Sequence, residues 1–170
     1  AQRTIERARN GDGPSLVDVM FASDGSALAD SSRQTGWAQP ALFALEWSLV
    51  ELWRSWGVTP HGLLGHSVGE VVAAVVAGVL SLEDGMRLIA ARGRLMQALP
   101  GGGAMTAVSA SMSEVEAVLA STPGVVVVAA VNGPTHTVIS GDAVAVAAVG
   151  DAFTARGVRV QPLHVSHAFH

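Results

Sequence analysis

Cysteine is absent from the 170 residues. That excludes a disulfide framework and any thiolate metal site. Lysine is absent too, so all ten cationic residues are arginine, scattered with no basic block. With a formal charge of −4 and a pI near 5.8, nucleic acid and anionic membrane surfaces are poor partners. Charged residues make up only 14% of the chain against 49% apolar, enough for a sizeable core. Long apolar runs are also missing. The longest, Val71 to Leu82, is interrupted by Gly78 and falls short of the roughly 20 residues a bilayer requires. The N-terminus is polar, with Arg3, Glu6, Arg7 and Arg9, and shows no secretory signal peptide, so the default expectation is a cytoplasmic protein. The length allows one domain, or one domain and a small lobe. The abrupt start, and the end at His170, suggest a piece of something longer.

What the chain does hold is the pentapeptide Gly65-His66-Ser67-Val68-Gly69. An apolar pair, Leu63-Leu64, leads in, and the apolar run Val71 to Leu80 leads out. Gly-x-Ser-x-Gly between a strand and a helix is the signature of a nucleophile elbow. The turn is so sharp that a side chain on either flank is expected to clash, hence glycine on both sides. Such a turn lifts the Ser67 hydroxyl to a helix N-terminus, where the dipole and free N–H groups favour an oxyanion. The Val68 N–H is the natural oxyanion-hole donor.

Around this turn the chain reads as two regions. Residues 1–9 suit one or two helical turns, 15–22 a short helix and 23–36 a polar loop. Pro40 suits the first turn of a helix, along which Leu42, Leu45, Leu49, Leu52 and Trp56 form a stripe expected to pack in the core. Gly57 and Pro60 end it. Residues 61–65 read as a short buried strand, and Val71 to Leu80 as a helix buried on nearly all sides. Ser81 to Asp84 opens a further helix that runs to about Ala98. The Gly101-Gly102-Gly103 run comes after a helix and lacks a lysine, so it is no phosphate loop. Beyond it come a strand over 104–110, a helix capped by Ser113 with Glu116, strands over 125–131 and 135–140 around Asn132-Gly133-Pro134, a helix capped by Asp142, and a strand over 158–165. That order, strand-helix-strand-strand-helix-strand, is the ferredoxin-like α+β pattern.

A serine nucleophile needs a base. Of six histidines, His61 and His136 read as loop residues and His164 as outward on a strand. His66 reads as a pocket wall beside the nucleophile. His167 and His170 close the chain; their spacing also suits one metal face, but a third ligand is not apparent, and no metal site is expected.

Taken together, Gly65-His66-Ser67-Val68-Gly69-Glu70, Ala91-Arg92-Gly93-Arg94-Leu95-Met96-Gln97, Val131-Asn132-Gly133-Pro134 and His167-Ala168-Phe169-His170 resemble the acyltransferase domain of modular type I polyketide synthases. Ala38-Gln39-Pro40-Ala41-Leu42-Phe43-Ala44-Leu45-Glu46 fits the same family, and the match runs from about Val17 onward. The resemblance implies an α/β fold, an α/β-hydrolase-like subdomain (incomplete here) with an inserted ferredoxin-like one. Residues 1–103 belong to the first, 104–165 to the second, and 166–170 return to the first. It also implies acyl transfer through an acyl-serine. Ser67 attacks the thioester of malonyl-CoA, His170 is general base and then general acid, and the acyl group passes to the phosphopantetheine thiol of an acyl carrier protein. The domain itself binds no cofactor, and a ketosynthase domain and linker are its neighbours.

In the same family Arg92 pairs bidentately with the free carboxylate of the acyl group, as a guanidinium fork can. On the residues alone, capping of helix carbonyls, as Arg94 could do, is the favoured reading of Arg92, and only the resemblance reverses it. His167-Ala168-Phe169-His170 resembles the malonyl-selecting motif; the methylmalonyl version reads Tyr-Ala-Ser-His. The resemblance implies that Phe169 would fill the space an α-methyl needs, a discrimination worth about 1–3 kcal/mol. Val68 also fits malonyl enzymes, where methylmalonyl ones often carry Gln. The family's opening Gly-Gln-Gly segment does not occur here, nor do the residues that the family carries after its catalytic histidine. The 170-residue chain alone is therefore expected to be inactive or poorly folded, and ordinary malonyl loading by it would contradict that. Rival readings are a serine hydrolase completed by Asp142 or Asp151, and a non-catalytic carrier-docking module.

Overall fold

The computed structural model describes residues 13–163, 165 and 167–170. The helical turns expected over 1–9, and His164, lie outside them. Contacts divide the chain into two compact units, Ala1–Ala98 and Leu99–His170.

The described part of the first unit is helical. Helix α1 (Leu16–Met20) starts at a capping box, in which Ser15 Oγ accepts from the Asp18 N–H and Asp18 accepts from the Ser15 N–H, each at 3.1 Å. These hydrogen bonds hold the Asp18 carboxyl below its usual range. The expected loop over 23–36 instead contains α2 (Ala27–Ser31), capped by Ser26. Helix α3 (Thr35–Ser55) begins earlier than Pro40 suggests, so the proline lies inside it. Its end agrees with expectation. Gly57 turns left-handed at φ 82°, and the Val58 N–H reaches the Trp53 carbonyl oxygen at 3.1 Å. Two further helices, α4 (Val68–Val76) and α5 (Leu82–Gln97), pack on α3.

The leucine stripe of α3 does not face this core. Leu42, Leu45, Leu49 and Leu52 are 44–48% exposed, and Trp53 and Trp56 more so. The buried residues are Thr35, Trp37, Gln39, Pro40 and Phe43, centred on a different side of the helix around Phe43, with Trp47 continuing it. Helix α4 likewise buries one face, Val68, Val72 and Val75, while Val79 beyond it is 75% exposed. The expected strand over 61–65 is not formed, and Leu64 is fully exposed. A strand needs a hydrogen-bonding neighbour, and the described part of this unit contains none.

The second unit is a four-stranded antiparallel sheet with two helices. Its elements are β1 (Gly103–Val108), α6 (Met112–Leu119), β2 (Val126–Gly133), β3 (His136–Asp142), α7 (Ala143–Thr154) and β4 (Val160–Pro162). The sheet order is β2-β3-β1-β4, with β3 antiparallel to both β1 and β2. Strands β1 and β2, joined through α6, therefore run parallel with β3 between them. The order of elements is the one the sequence predicts. His136 opens β3 rather than lying in a loop.

Two caps differ from expectation. Helix α6 uses Ser111 with Glu114, not Ser113 with Glu116. The S-x-x-E spacing occurs in both frames, and the earlier one turns Val115 and Val118 into the core. The Ser111 hydrogen bonds hold the Glu114 carboxyl below its usual range. Asp142 sits at the N-cap of α7 without a side-chain cap bond; its Oδ2 accepts from the Val125 N–H at 3.1 Å and ties β2 to β3. Strand β4 is shorter than expected, although the Leu163 N–H still reaches the Met105 carbonyl oxygen at 2.9 Å.

Ile139, Val149 and Phe153 are 0–1% exposed at the centre of this unit. Ile139→Ala is expected to cost about 2–5 kcal/mol, since the lost contacts leave a cavity in close-packed surroundings. Val127→Ala, at a half-exposed position of β2, is expected to stay within about 1 kcal/mol. Urea unfolding of the two variants checks the contrast.

Candidate active site

Ser67 stands at the N-cap of α4 with φ 55° and ψ −112°. A left-handed φ is rare outside glycine, and such backbone costs about 1–3 kcal/mol, so its surroundings must impose it. Gly65 is part of the reason. A methyl group there would run into the backbone of Gly69 and the Glu70 nitrogen, atoms that cannot give way. The other flank differs from expectation: a methyl on Gly69 would meet only Glu46 Oε2, at an ordinary 3.5 Å. Glu46 is partly buried, which pushes its carboxyl above the usual range. One glycine of the pentapeptide is thus sterically obligatory and the other is not.

Val68 is the first residue of α4 and is buried. Its N–H is among the donors that a helix start leaves without an intrahelical acceptor. The Glu70 N–H closes the first turn onto the Ser67 carbonyl oxygen at 3.2 Å. His66 is exposed.

Arg92 reaches this turn from α5. Its Nη2 donates to Ser67 Oγ at 3.4 Å, and its Nη1 donates to Gln39 Oε1 on α3. The guanidinium is thus held at the serine hydroxyl, not at the helix carbonyls. Gln39 is 5% exposed, and its Nε2 donates to Thr35 Oγ1 at 2.7 Å and to Met96 Sδ at 3.2 Å. Sequence reasoning gives Gln39 no role. The available signal is the spacing Thr35, Gln39, Phe43, one residue per turn on one helix face, with a polar amide in the middle.

The chain's closing residues belong to the second unit. His167 is 6% exposed and donates from Nε2 to the Leu99 carbonyl oxygen at 2.9 Å. Ala168 backs onto Gly103 so closely that a methyl on that glycine would fall 2.5 Å from the Ala168 nitrogen. The Phe169 ring is tilted by 36° to the His167 ring, with centroids 6.0 Å apart. His170 is exposed at φ 62°. Asp142 is engaged with Val125, and Asp151 is exposed on α7. Among the described residues, no group of three or more His, Asp or Glu side chains is placed to hold a metal ion, and no helix is long and apolar enough to cross a membrane.

Fold and site together define an α/β protein with a serine on an elbow turn, faced by an arginine fork. Residues 2–170 match the family described as the acyl transferase domain, and the chain belongs to that family. Among curated proteins it is 53% identical over 156 residues to polyketide synthase GfsA of Streptomyces halstedii. It is 56% identical over 155 residues to mycoketide-CoA synthase of Mycobacterium tuberculosis. These matches cover 92% and 91% of this chain but only 2% and 4% of those synthases. The acyltransferase domain from the second module of the salinomycin polyketide synthase superposes with a TM-score of 0.83 at 46% identity, covering 99% of this chain and 39% of that one. Malonyl CoA-acyl carrier protein transacylase from Clostridium perfringens superposes at 0.83 with 27% identity, covering 99% and 52%.

The two glycines of the turn give a direct test. Gly65→Ala is expected to destabilise by more than about 3 kcal/mol, because backbone must move. Gly69→Ala, inside α4 and free of clash, is expected to change stability by no more than about 1 kcal/mol, in either direction. Thermal melts of both variants measure the difference.

Proposed function

We propose that this chain carries the nucleophile half of an acyltransferase that moves an extender acyl group, malonyl, from coenzyme A to an acyl carrier protein in polyketide synthesis. One observation carries the reading: the Arg92 guanidinium lies 3.4 Å from Ser67 Oγ. The free carboxylate of a malonyl group is one methylene from its thioester carbonyl. A fork beside the attacking hydroxyl can therefore hold that carboxylate while the carbonyl is attacked.

In this reading the Ser67 oxygen attacks the thioester carbon and its proton passes to His170. The tetrahedral oxyanion rests on the Val68 N–H at the positive end of α4. Collapse expels the coenzyme A thiol, which takes the proton back from His170. The phosphopantetheine thiol of the carrier protein then attacks acyl-Ser67 by the same steps in reverse. Phe169 and His167 shape the acyl pocket against an α-methyl, and His66 lines its wall. No bound cofactor takes part.

On the same proposal, residues 1–103 and 166–170 belong to an α/β-hydrolase-like body, and 104–165 to a ferredoxin-like insert. The sheet order β2-β3-β1-β4 supports the insert. The carrier partner is supported by the likeness to a type II malonyl-transacylase solved with its acyl-carrier protein, TM-score 0.82 at 31% identity. A ketosynthase domain and its linker are the proposed neighbours, and the cytoplasm the proposed compartment.

Mass spectrometry of the complete protein after incubation with malonyl-CoA tests the reading. A malonyl adduct is expected on Ser67, absent in Ser67→Ala. Arg92→Ala is expected to lower kcat/KM for malonyl loading about 10- to 150-fold, the worth of a charged hydrogen bond of about 1.5–3 kcal/mol, while acetyl loading holds or rises. Equal losses for both acyl groups would remove Arg92 from carboxylate binding. Release of free malonate with no dependence on a carrier protein would replace the transferase by a hydrolase.

A further inference from the structure

Gln39 is the most deeply buried polar side chain in the network around Ser67, and the proposed chemistry makes no use of it. Its amide has a definite orientation. The guanidinium of Arg92 offers only donors, so the side of the amide that meets it must be the carbonyl oxygen, Oε1. The NH2 group then faces Thr35 Oγ1 and Met96 Sδ, both of which accept. Reversing the amide would set donor against donor at Arg92.

The backbone brings these groups together. The N-terminal turn of α3 lies against the last turns of α5 at a pair of glycines. A methyl on Gly93 would meet the Thr35 carbonyl oxygen at 3.1 Å and Gly36 Cα at 3.4 Å. The Gly36 N–H donates to Gln97 Oε1 at 3.3 Å across the same crossing. Arg92 immediately precedes Gly93, so the close approach sets its side chain opposite Gln39.

We propose that Gln39 is a positioning residue for Arg92, and that this neutral amide sets the preference for acyl groups bearing a free carboxylate over neutral ones. This rests on the proposed role of Arg92 as the carboxylate partner. An arginine side chain has several rotatable bonds, and ordering it costs conformational entropy each time a ligand binds. Gln39 pins one nitrogen and leaves the other directed at Ser67. Because the amide is uncharged, it orients the guanidinium without neutralising it. A carboxylate at position 39 would also orient Arg92, but it would take the charge that the ligand needs.

The test compares malonyl-CoA and acetyl-CoA loading by the complete protein. Gln39→Met keeps the volume and removes the acceptor; it is expected to raise KM for malonyl-CoA about tenfold with acetyl loading within threefold of wild type. Gln39→Glu is expected to lower the malonyl-to-acetyl ratio further, about a hundredfold, as its carboxylate occupies Arg92. In an Arg92→Ala background, Gln39→Met is expected to leave the ratio where Arg92→Ala alone puts it. A general packing role would lower both substrates by one factor, and that result, or an unchanged ratio in Gln39→Met, overturns the proposal. The Arg92→Ala control separates the two readings. An unchanged ratio there defeats the carboxylate reading itself; a changed ratio there beside wild-type ratios in both Gln39 variants defeats only the role of Gln39.

Discussion

At Gly93 the backbone of α5 comes so near the start of α3 that any side chain would press on the Thr35 carbonyl oxygen. Near its other end, a methyl on Gly85 would collide with Val75 Cγ2 of α4 and approach Phe43 Cζ of α3 to 3.2 Å. These two contacts fix α5 against both of its partners in the first unit. The consequences reach the site directly. One contact puts Arg92 opposite Gln39. The other seats Phe43, 1% exposed, and Ile89, 0% exposed, in the core beneath α4, the helix whose first residue comes directly after Ser67. Close packing transmits such constraints because an interior has little free volume in which to relax.

The second constraint is the turn itself. Ser67 is held in a conformation that serine does not choose, while Gly65 leaves its backbone room to pass Gly69. The strain is offset in part by the burial of one face of α4, Val68, Val72 and Val75. Strain of this kind persists where packing over-determines it. Here it presents a hydroxyl at a helix N-terminus within reach of a cation, which a relaxed loop would not do.

Much of this is legible in the sequence, for identifiable reasons. The elbow is readable because its turn leaves no room for a side chain at Gly65, two residues before the serine. The strand and helix order of the second unit is readable because β-branched runs alternate with serine and aspartate caps. The cap of α6 is ambiguous because the S-x-x-E spacing occurs twice in Ser111-Met112-Ser113-Glu114-Val115-Glu116, and only packing of Val115 and Val118 chooses between frames. The start of α3 escapes sequence reasoning because Pro40 looks like a first-turn residue; nothing local reveals that Gly36 and Gly93 let the helix begin earlier. Gln39 escapes it because, apart from Thr35 one turn away, its partners Met96 and Arg92 are 57 and 53 residues distant in sequence. Tertiary hydrogen bonds leave no periodic trace.

The face of α3 raises a different issue. Its leucine stripe is real, but the helix carries two apolar faces and periodicity cannot rank them. The face bearing Phe43 and Trp47 is covered by α4 and α5; the face bearing Leu42, Leu45, Leu49 and Leu52 is about half exposed. Helices apolar on opposite sides belong in the middle of a layered fold, since each uncovered leucine forgoes about 1 kcal/mol or more of burial. Residues 61–65, apolar at Leu63 and Leu64 yet unpaired as a strand, show the same deficit in backbone form. The same two elements flank the elbow, one leading into Ser67 and the other carrying Gln39.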